Sequence, residues 1–213
     1  MKTALVAGST GLIGNQLVQL LLASDRYDQV KAITRTDLPL NHAKLVQIKV
    51  DFHRLDDFKD ELKADDVFCC LGTTMAKARS EKKFREVDYD YPMALASLSL
   101  AQGAKQFLLV SALGANKQSS IFYNLVKGEL EDAVTKLQFR AIHIFRPSLL
   151  LGPRAEHRSA EEAAKFFYKV FGFLIPAKYK AIGADKVAKA MIHFATQEER
   201  GIWIHESRDL QRF

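Results

Sequence analysis

The sequence predicts an α/β fold in which a doubly wound parallel sheet carries helices on both faces, and three observations predict it. Apolar runs of strand length alternate along the 213 residues with amphipathic stretches of helix length, the rhythm of parallel strands joined through crossover helices. The runs ALVA, DVFCCL and FLLV are nearly all apolar rather than alternating, which suits strands covered on both faces. Directly after the first run, Gly8, Gly11 and Gly14 open what reads as a helix, so a sharp strand-to-helix turn is expected there.

In chain order, strands are expected over residues 2–7, 29–34, 45–50, 66–71, 106–111 and 140–146, each a short apolar run. Helices are expected over 12–23, near 55–62, over about 88–101 and over 120–137, the last capped by Ser119 or Ser120. Beyond Arg146 the rhythm fades into a Gly/Pro-punctuated tail with helices near 161–170 and 185–196. Residues 1–213 therefore read as one domain, with 147–213 a small cap on the substrate side. Within that tail, KFFYKVFGFLIPAKY (165–179) reads first as a helix packing the tail onto the core, with a cleft wall or partner surface as alternatives. Trp203 reads as core.

Composition bounds the class. With 48% hydrophobic residues the chain can bury about 70% of the surface its unfolded form exposes, enough for one core. No run approaches the length of a membrane span and no secretory signal pattern opens the chain, so a cytoplasmic protein without a membrane partner is expected. Cys69 and Cys70 are neighbours on one strand, so they face opposite ways and cannot form a disulfide framework. The six histidines show no metal-ligand spacing, and no metal is expected. The net charge of +6 is scattered rather than gathered into a stripe with aromatics, which argues against nucleic acid and suits an anionic small-molecule substrate.

The glycine run GSTGLIG has a physical reading in this setting. Gly8 can take the backbone angles of the turn, Gly11 leaves the backbone bare where a pyrophosphate would meet the helix N-terminus, and Gly14 removes a side chain where helix and strand cross. A bound dinucleotide and a Rossmann-type sheet are expected. At the end of the second strand stands Arg35, about twenty residues beyond the glycines. A guanidinium there favours the 2′-phosphate of NADP(H), whereas Asp37 would serve the 2′-hydroxyl of NAD(H) if the strand ran longer.

In SSIFYNLVKGELE, Tyr123 and Lys127 are four residues apart and so share a helix face. An ammonium beside a phenol lowers its pKa towards that of a working acid or base. Ser111 ends the fifth strand, where such sheets face their ligand crevice.

Together GSTGLIG, Asp51, LGTT, Ser111, the Tyr123/Lys127 pair and FRPSLLLGPR resemble the short-chain dehydrogenase/reductases in their extended or atypical branch. CCLGTTM, VDYDYP, GAKQFLLVSALGAN and RPSLLLGPRAEHR are similar to the Tat-interacting-protein-like NAD(P)-binding branch, over residues 2–158 and more loosely beyond. The resemblance implies that Gly8, Ser9, Thr10, Gly11, Leu12, Ile13 and Gly14 cradle the pyrophosphate and that Arg35 holds the 2′-phosphate. Asp51 and Phe52 would meet the adenine, and Leu71, Gly72, Thr73 and Thr74 would lie near the adenosine. Pro147, Leu149 and Leu150 would meet the nicotinamide carboxamide. Tyr123 would transfer the proton, Lys127 would bind the nicotinamide ribose and tune the phenol, and Ser111 would orient a carbonyl or hydroxyl. Arg154 stands where relatives hold a substrate phosphate. One departure is Asp88, where the family often has Asn.

The expectation is an NADP(H)-dependent oxidoreductase passing hydride to or from a carbonyl or hydroxyl substrate. The alternatives are an NADPH-binding regulator with little catalysis and a nucleotide-sugar epimerase-like enzyme. A homodimer through the helices at 91–101 and 121–137 is compatible with the pattern.

Overall fold

The computed structural model describes residues 1–152 and 179–213. Its main sheet has seven strands: Thr3–Ala7 (β1), Gln29–Thr34 (β2), Leu45–Lys49 (β3), Asp66–Cys69 (β4), Gln106–Val110 (β5), Ala141–Arg146 (β6) and Gly201–Glu206 (β9). Leu150–Leu151 (β7) and Ile182–Gly183 (β8) pair separately. All seven main strands are parallel, in the order β3-β2-β1-β4-β5-β6-β9. The chain therefore winds one way from β1 to β3 and the other way from β4 onward, leaving a crevice beyond the carboxyl ends of β1 and β4.

The apolar strand runs fill two cores, one on each sheet face. Ala4, Val6, Phe68 and Leu108 pack beneath helices Leu12–Ala23 (α1) and Ala184–Gln197 (α6). Leu5, Ala7, Val67, Leu109 and Ile144 pack on the other face, beneath Tyr91–Ala101 (α4) and Phe122–Val134 (α5). Cys69 lies in the second core and Cys70 against the first, the opposed placement that adjacent strand residues require. Burial pushes the Cys69 thiol up to about 12 and raises Cys70 as well, so neither is a reactive thiolate.

Four differences from the sequence expectations have physical causes. Residues 52–62 form a kinked 3-10 stretch rather than an α-helix, capped by the Asp51 side chain. Helices Met75–Ala78 (α2) and Glu81–Arg85 (α3) lead into a π-helical turn, Glu86–Asp90, before α4 begins, so Asp88 sits in that turn. The cap of α5 is Ile121, not Ser119 or Ser120; the Ser119 hydroxyl instead accepts the Ile121 N–H at 3.1 Å. Finally, 201–206 is an edge strand that the Gly/Pro-punctuated tail concealed. Trp203 on it is 42% exposed rather than core, because an edge strand packed from one side leaves the rest of its surface open. The segment 161–170 expected as a helix, Arg154, and 165–178 of the aromatic stretch lie outside the described residues.

The new strand is joined to β6 by a histidine pair. His143 and His205 stack with ring centroids 5.4 Å apart, share a hydrogen bond of 3.1 Å, and lie among Phe145 and Phe194. Burial lowers both to about 4, so each is neutral in the fold and takes up its proton more readily when unfolded. Their contribution is present above the unfolded value of about 6.5 and is lost as pH falls towards 4. Urea unfolding should show wild-type stability falling through that window. His205→Phe should flatten the decline there by on the order of 1–2 kcal/mol, as read from unfolding midpoints at pH 7 and pH 4.5.

Candidate active site

The crevice at the switch in winding is built first by the glycine turn. Gly8 has φ +80°, and a Cβ there would lie 2.5 Å from the Cys70 carbonyl oxygen, so β1 can leave the sheet hard against the end of β4 only with glycine. Gly11 donates its N–H to the Gly8 carbonyl at 3.0 Å and then begins α1 with extended backbone and no side-chain cap. The first intrahelical bond runs from Asn15 N–H to the Gly11 carbonyl. The N–H groups of Leu12, Ile13 and Gly14 therefore face forward without helical partners. No acidic residue occupies the first turn of α1, leaving the positive end of the helix dipole uncompensated. Gly14 is the tightest position: its Cβ would lie 2.2 Å from the Gly8 carbonyl oxygen. Ser9 beside it is fully buried, with a hydroxyl that has no hydrogen-bond partner. Bare backbone and forward N–H donors are the donor set a pyrophosphate would use.

The turn borders a cleft of about 1120 Å³, slightly above the usual range for a ligand site. Thr10, Gly11, Leu12 and Ile13 form one wall, with Leu71, Gly72, Thr73 and Thr74 from the loop after β4. Ser111, Tyr123, Lys127, Pro147, Leu149 and Leu150 also line it, as does Asp88. The expected catalytic residues and most of the expected nucleotide contacts thus share one space. Tyr123 packs its ring on Phe84 at 5.4 Å. Burial pushes its phenol up; Lys127 pulls it down and Asp88 pushes it up, and the net direction is upward.

Two partnerships here were not visible in the sequence. The first is Asp88 with Lys127: Oδ1 stands 2.7 Å from Nζ, and both side chains are essentially without solvent exposure. The contact is a buried ion pair. Burial disfavours the ammonium, yet Asp88 and then Tyr123 more than offset it and raise the lysine above its ordinary value. The second is Glu131, one helical turn beyond Lys127. The Ser111 hydroxyl donates to Glu131 Oε1 at 2.5 Å, and Arg146 reaches Glu131 through Nε at 3.1 Å and Nη2 at 2.5 Å, and Glu206 through Nη1 at 3.0 Å. With its proton on Glu131, Ser111 can accept a bond from a substrate hydroxyl; to donate to a carbonyl it must rotate away.

Gly8, Ser9, Gly14, Arg35, Asp51 and Phe52 lie outside the cleft lining, and the last three share a neighbour, Tyr91. Phe52 stacks on its ring at 5.4 Å, and Arg35 and Asp51 both act electrostatically on its phenol. Tyr91 also bonds to Glu86, and to His53 at 3.0 Å. It was not singled out in the sequence, because its position follows from the π-turn. β2 ends at Thr34 and Asp37 is paired with Lys49 at 2.8 Å, so the condition under which Asp37 would rival Arg35 is not met.

A family described as NAD(P)H-binding matches residues 8–150. The chain is 38% identical over 171 residues to Protein HTATIP2 of Rattus norvegicus, covering 78% of this chain and 70% of that protein. It is 30% identical over 204 residues to a Debaryomyces hansenii relative named Protein FMP52, mitochondrial, covering 92% and 88%. That name, shared by further yeast relatives, overturns the expected cytoplasmic location. Among solved structures, the WbmH enzyme of Bordetella bronchiseptica in complex with NAD+ superposes with a TM-score of 0.74 at 16% identity, covering 97% of this chain and 76% of that one. At that identity the likeness speaks to the fold.

Proposed function

The chain belongs to the NAD(P)H-binding family, in the atypical branch of the short-chain dehydrogenase/reductases, and from that membership we propose that it is an NADP(H)-dependent oxidoreductase acting on a carbonyl or hydroxyl of a small molecule. One observation carries the reading: Tyr123 and Lys127 border the same cleft as the glycine turn. A protein that only sensed the nucleotide would have no use for a phenol and an ammonium facing its reactive end.

The nicotinamide nucleotide would supply the hydride exchange. The N–H groups at the start of α1 would hold its pyrophosphate, Arg35 its 2′-phosphate, Asp51 and Phe52 its adenine, and the 71–74 loop its adenosine. The backbone at Pro147, Leu149 and Leu150 would receive the carboxamide. Tyr123 would give or take the proton at the substrate oxygen, Lys127 would hold ribose and phenol in register, and Ser111 would fix that oxygen, accepting from a hydroxyl while bonded to Glu131 or turning from it to donate to a carbonyl.

Calorimetry with NADPH and NADH, followed by nucleotide oxidation against a panel of aldehydes and ketones, tests the proposal. NADPH should bind the more tightly. Arg35→Ala should weaken NADPH roughly ten- to hundredfold, the loss expected of a charge-assisted phosphate contact, and leave NADH nearly unchanged. Tight NADPH binding with no turnover on any carbonyl would favour a nucleotide-responsive regulator instead.

A further inference from the structure

A buried ammonium needs a counter-charge, and which group supplies it decides the state of its neighbours. Four groups face or neighbour Lys127: Asp88 from the π-turn, Cys69 from β4, Tyr123 one turn earlier on α5, and Glu131 one turn later. The Cys69 thiol is held near 12 by burial and is neutral. Glu131 is engaged by Ser111 and Arg146. Asp88 stands 2.7 Å away.

Three features fix Asp88 there. Its Oδ2 accepts the Thr73 N–H at 2.8 Å, so the carboxylate is held from the β4 loop as well as by the lysine. A Cβ on Gly72 would lie 3.3 Å from Asp88 Oδ1 and 3.6 Å from Lys127 Nζ, so that loop closes directly over the pair. The π-turn Glu86–Asp90 carries the wider winding often found where a helix is bent to aim a side chain.

We propose that Asp88 is a positioning residue whose carboxylate, and not the Tyr123 phenol, is the counter-ion of the Lys127 ammonium, so that the phenol enters the reaction carrying its proton. The inference rests on the oxidoreductase reading and specifies its proton step. With Asp88 in place, the phenol faces a neutral ion pair rather than a bare cation. In carbonyl reduction the phenol O–H bond breaks as the O–H bond of the product alcohol forms, and solvent returns the proton to the tyrosinate. The hydride would be supplied by the reduced nicotinamide nucleotide, which would be oxidised in exchange. Oxidation of an alcohol demands the tyrosinate, which Asp88 confines to alkaline pH.

The test follows the phenol itself. Protein labelled with 13Cζ-tyrosine is titrated by NMR, the Tyr123 resonance being identified by its loss in Tyr123→Phe. In Asp88→Asn the ammonium loses its carboxylate and the midpoint for tyrosinate formation should fall by at least about one pH unit; an unchanged midpoint in a folded variant overturns the proposal. Should Asp88→Asn not fold, the wild type decides. With Asp88 as counter-ion its Tyr123 midpoint should lie at or above the ordinary phenol value of about 10; a midpoint well below that overturns the proposal. The alkaline fall of carbonyl reduction should shift in Asp88→Asn with the NMR midpoint, which a purely structural role would not produce. If the wild type turns over no carbonyl at all, the oxidoreductase reading fails while the titration still decides the role of Asp88.

Discussion

Tyr123→Phe is expected to lower carbonyl turnover by about a hundred- to ten-thousand-fold, the range for removing a general acid or base, while NADPH affinity stays within about twofold. The substitution keeps the ring that packs on Phe84 within its small apolar cluster and removes only the hydroxyl, so stability should hardly move. Single-turnover rates with saturating NADPH, beside calorimetry on the same preparation, separate the two effects. Equal loss of nucleotide binding would mean that the phenol serves the cofactor rather than the proton. Unchanged turnover would remove Tyr123 from the chemistry altogether.

The second large effect falls on stability. Gly14→Ala places a methyl group 2.2 Å from the Gly8 carbonyl oxygen, 2.8 Å from its carbon and 3.0 Å from the Ser9 Cα. All three are backbone atoms and cannot swing aside. The gain in helix propensity, about 1 kcal/mol, is outweighed by overpacking that should leave the variant about 3 kcal/mol less stable. For a chain of this size the melting temperature should drop by roughly 6–12 °C. Gly11→Ala is the informative contrast, because its Cβ would meet only the Gly8 oxygen, at 3.2 Å. That variant should fold and lose NADPH affinity, since the added methyl stands where the phosphates would approach. A Gly14→Ala protein as stable as wild type would mean that the turn can open, contrary to the close crossing seen here.

Much of the sheet could be read from composition because its inner strands are covered on both faces. ALVA, FLLV and DVFCCL announce themselves by lacking polar alternation, and the glycines mark the start of α1. The strand GIWIHE was not legible: its side chains answer to β6 and to open space, and three consecutive large apolar residues there signal burial that the edge position does not provide. The site divides in the same way. Tyr123 and Lys127 were recognisable because four residues on a helix make a local rule. Asp88 against Lys127, Ser111 against Glu131, and Tyr91 beside Phe52 join residues far apart in the chain, and no spacing encodes them. The cap of α5 was misplaced for a related reason: Ser119 bonds two residues ahead in a turn of its own, which competes with capping.

The parallel pairing of β6 with β9 has a consequence for how the chain is made. Arg146 and Glu206 are 60 residues apart in sequence yet bonded in the fold. During synthesis the first six strands of the sheet can therefore assemble while the flank of β6 still lacks its neighbour. Until the ribosome has delivered the later strand, His143 and Phe145 lack their His205 neighbour and half of the Arg146 clamp is missing. That interval is when a nascent chain is most exposed to chaperone capture or to sticking to other chains, and it ends only when the last parallel strand docks.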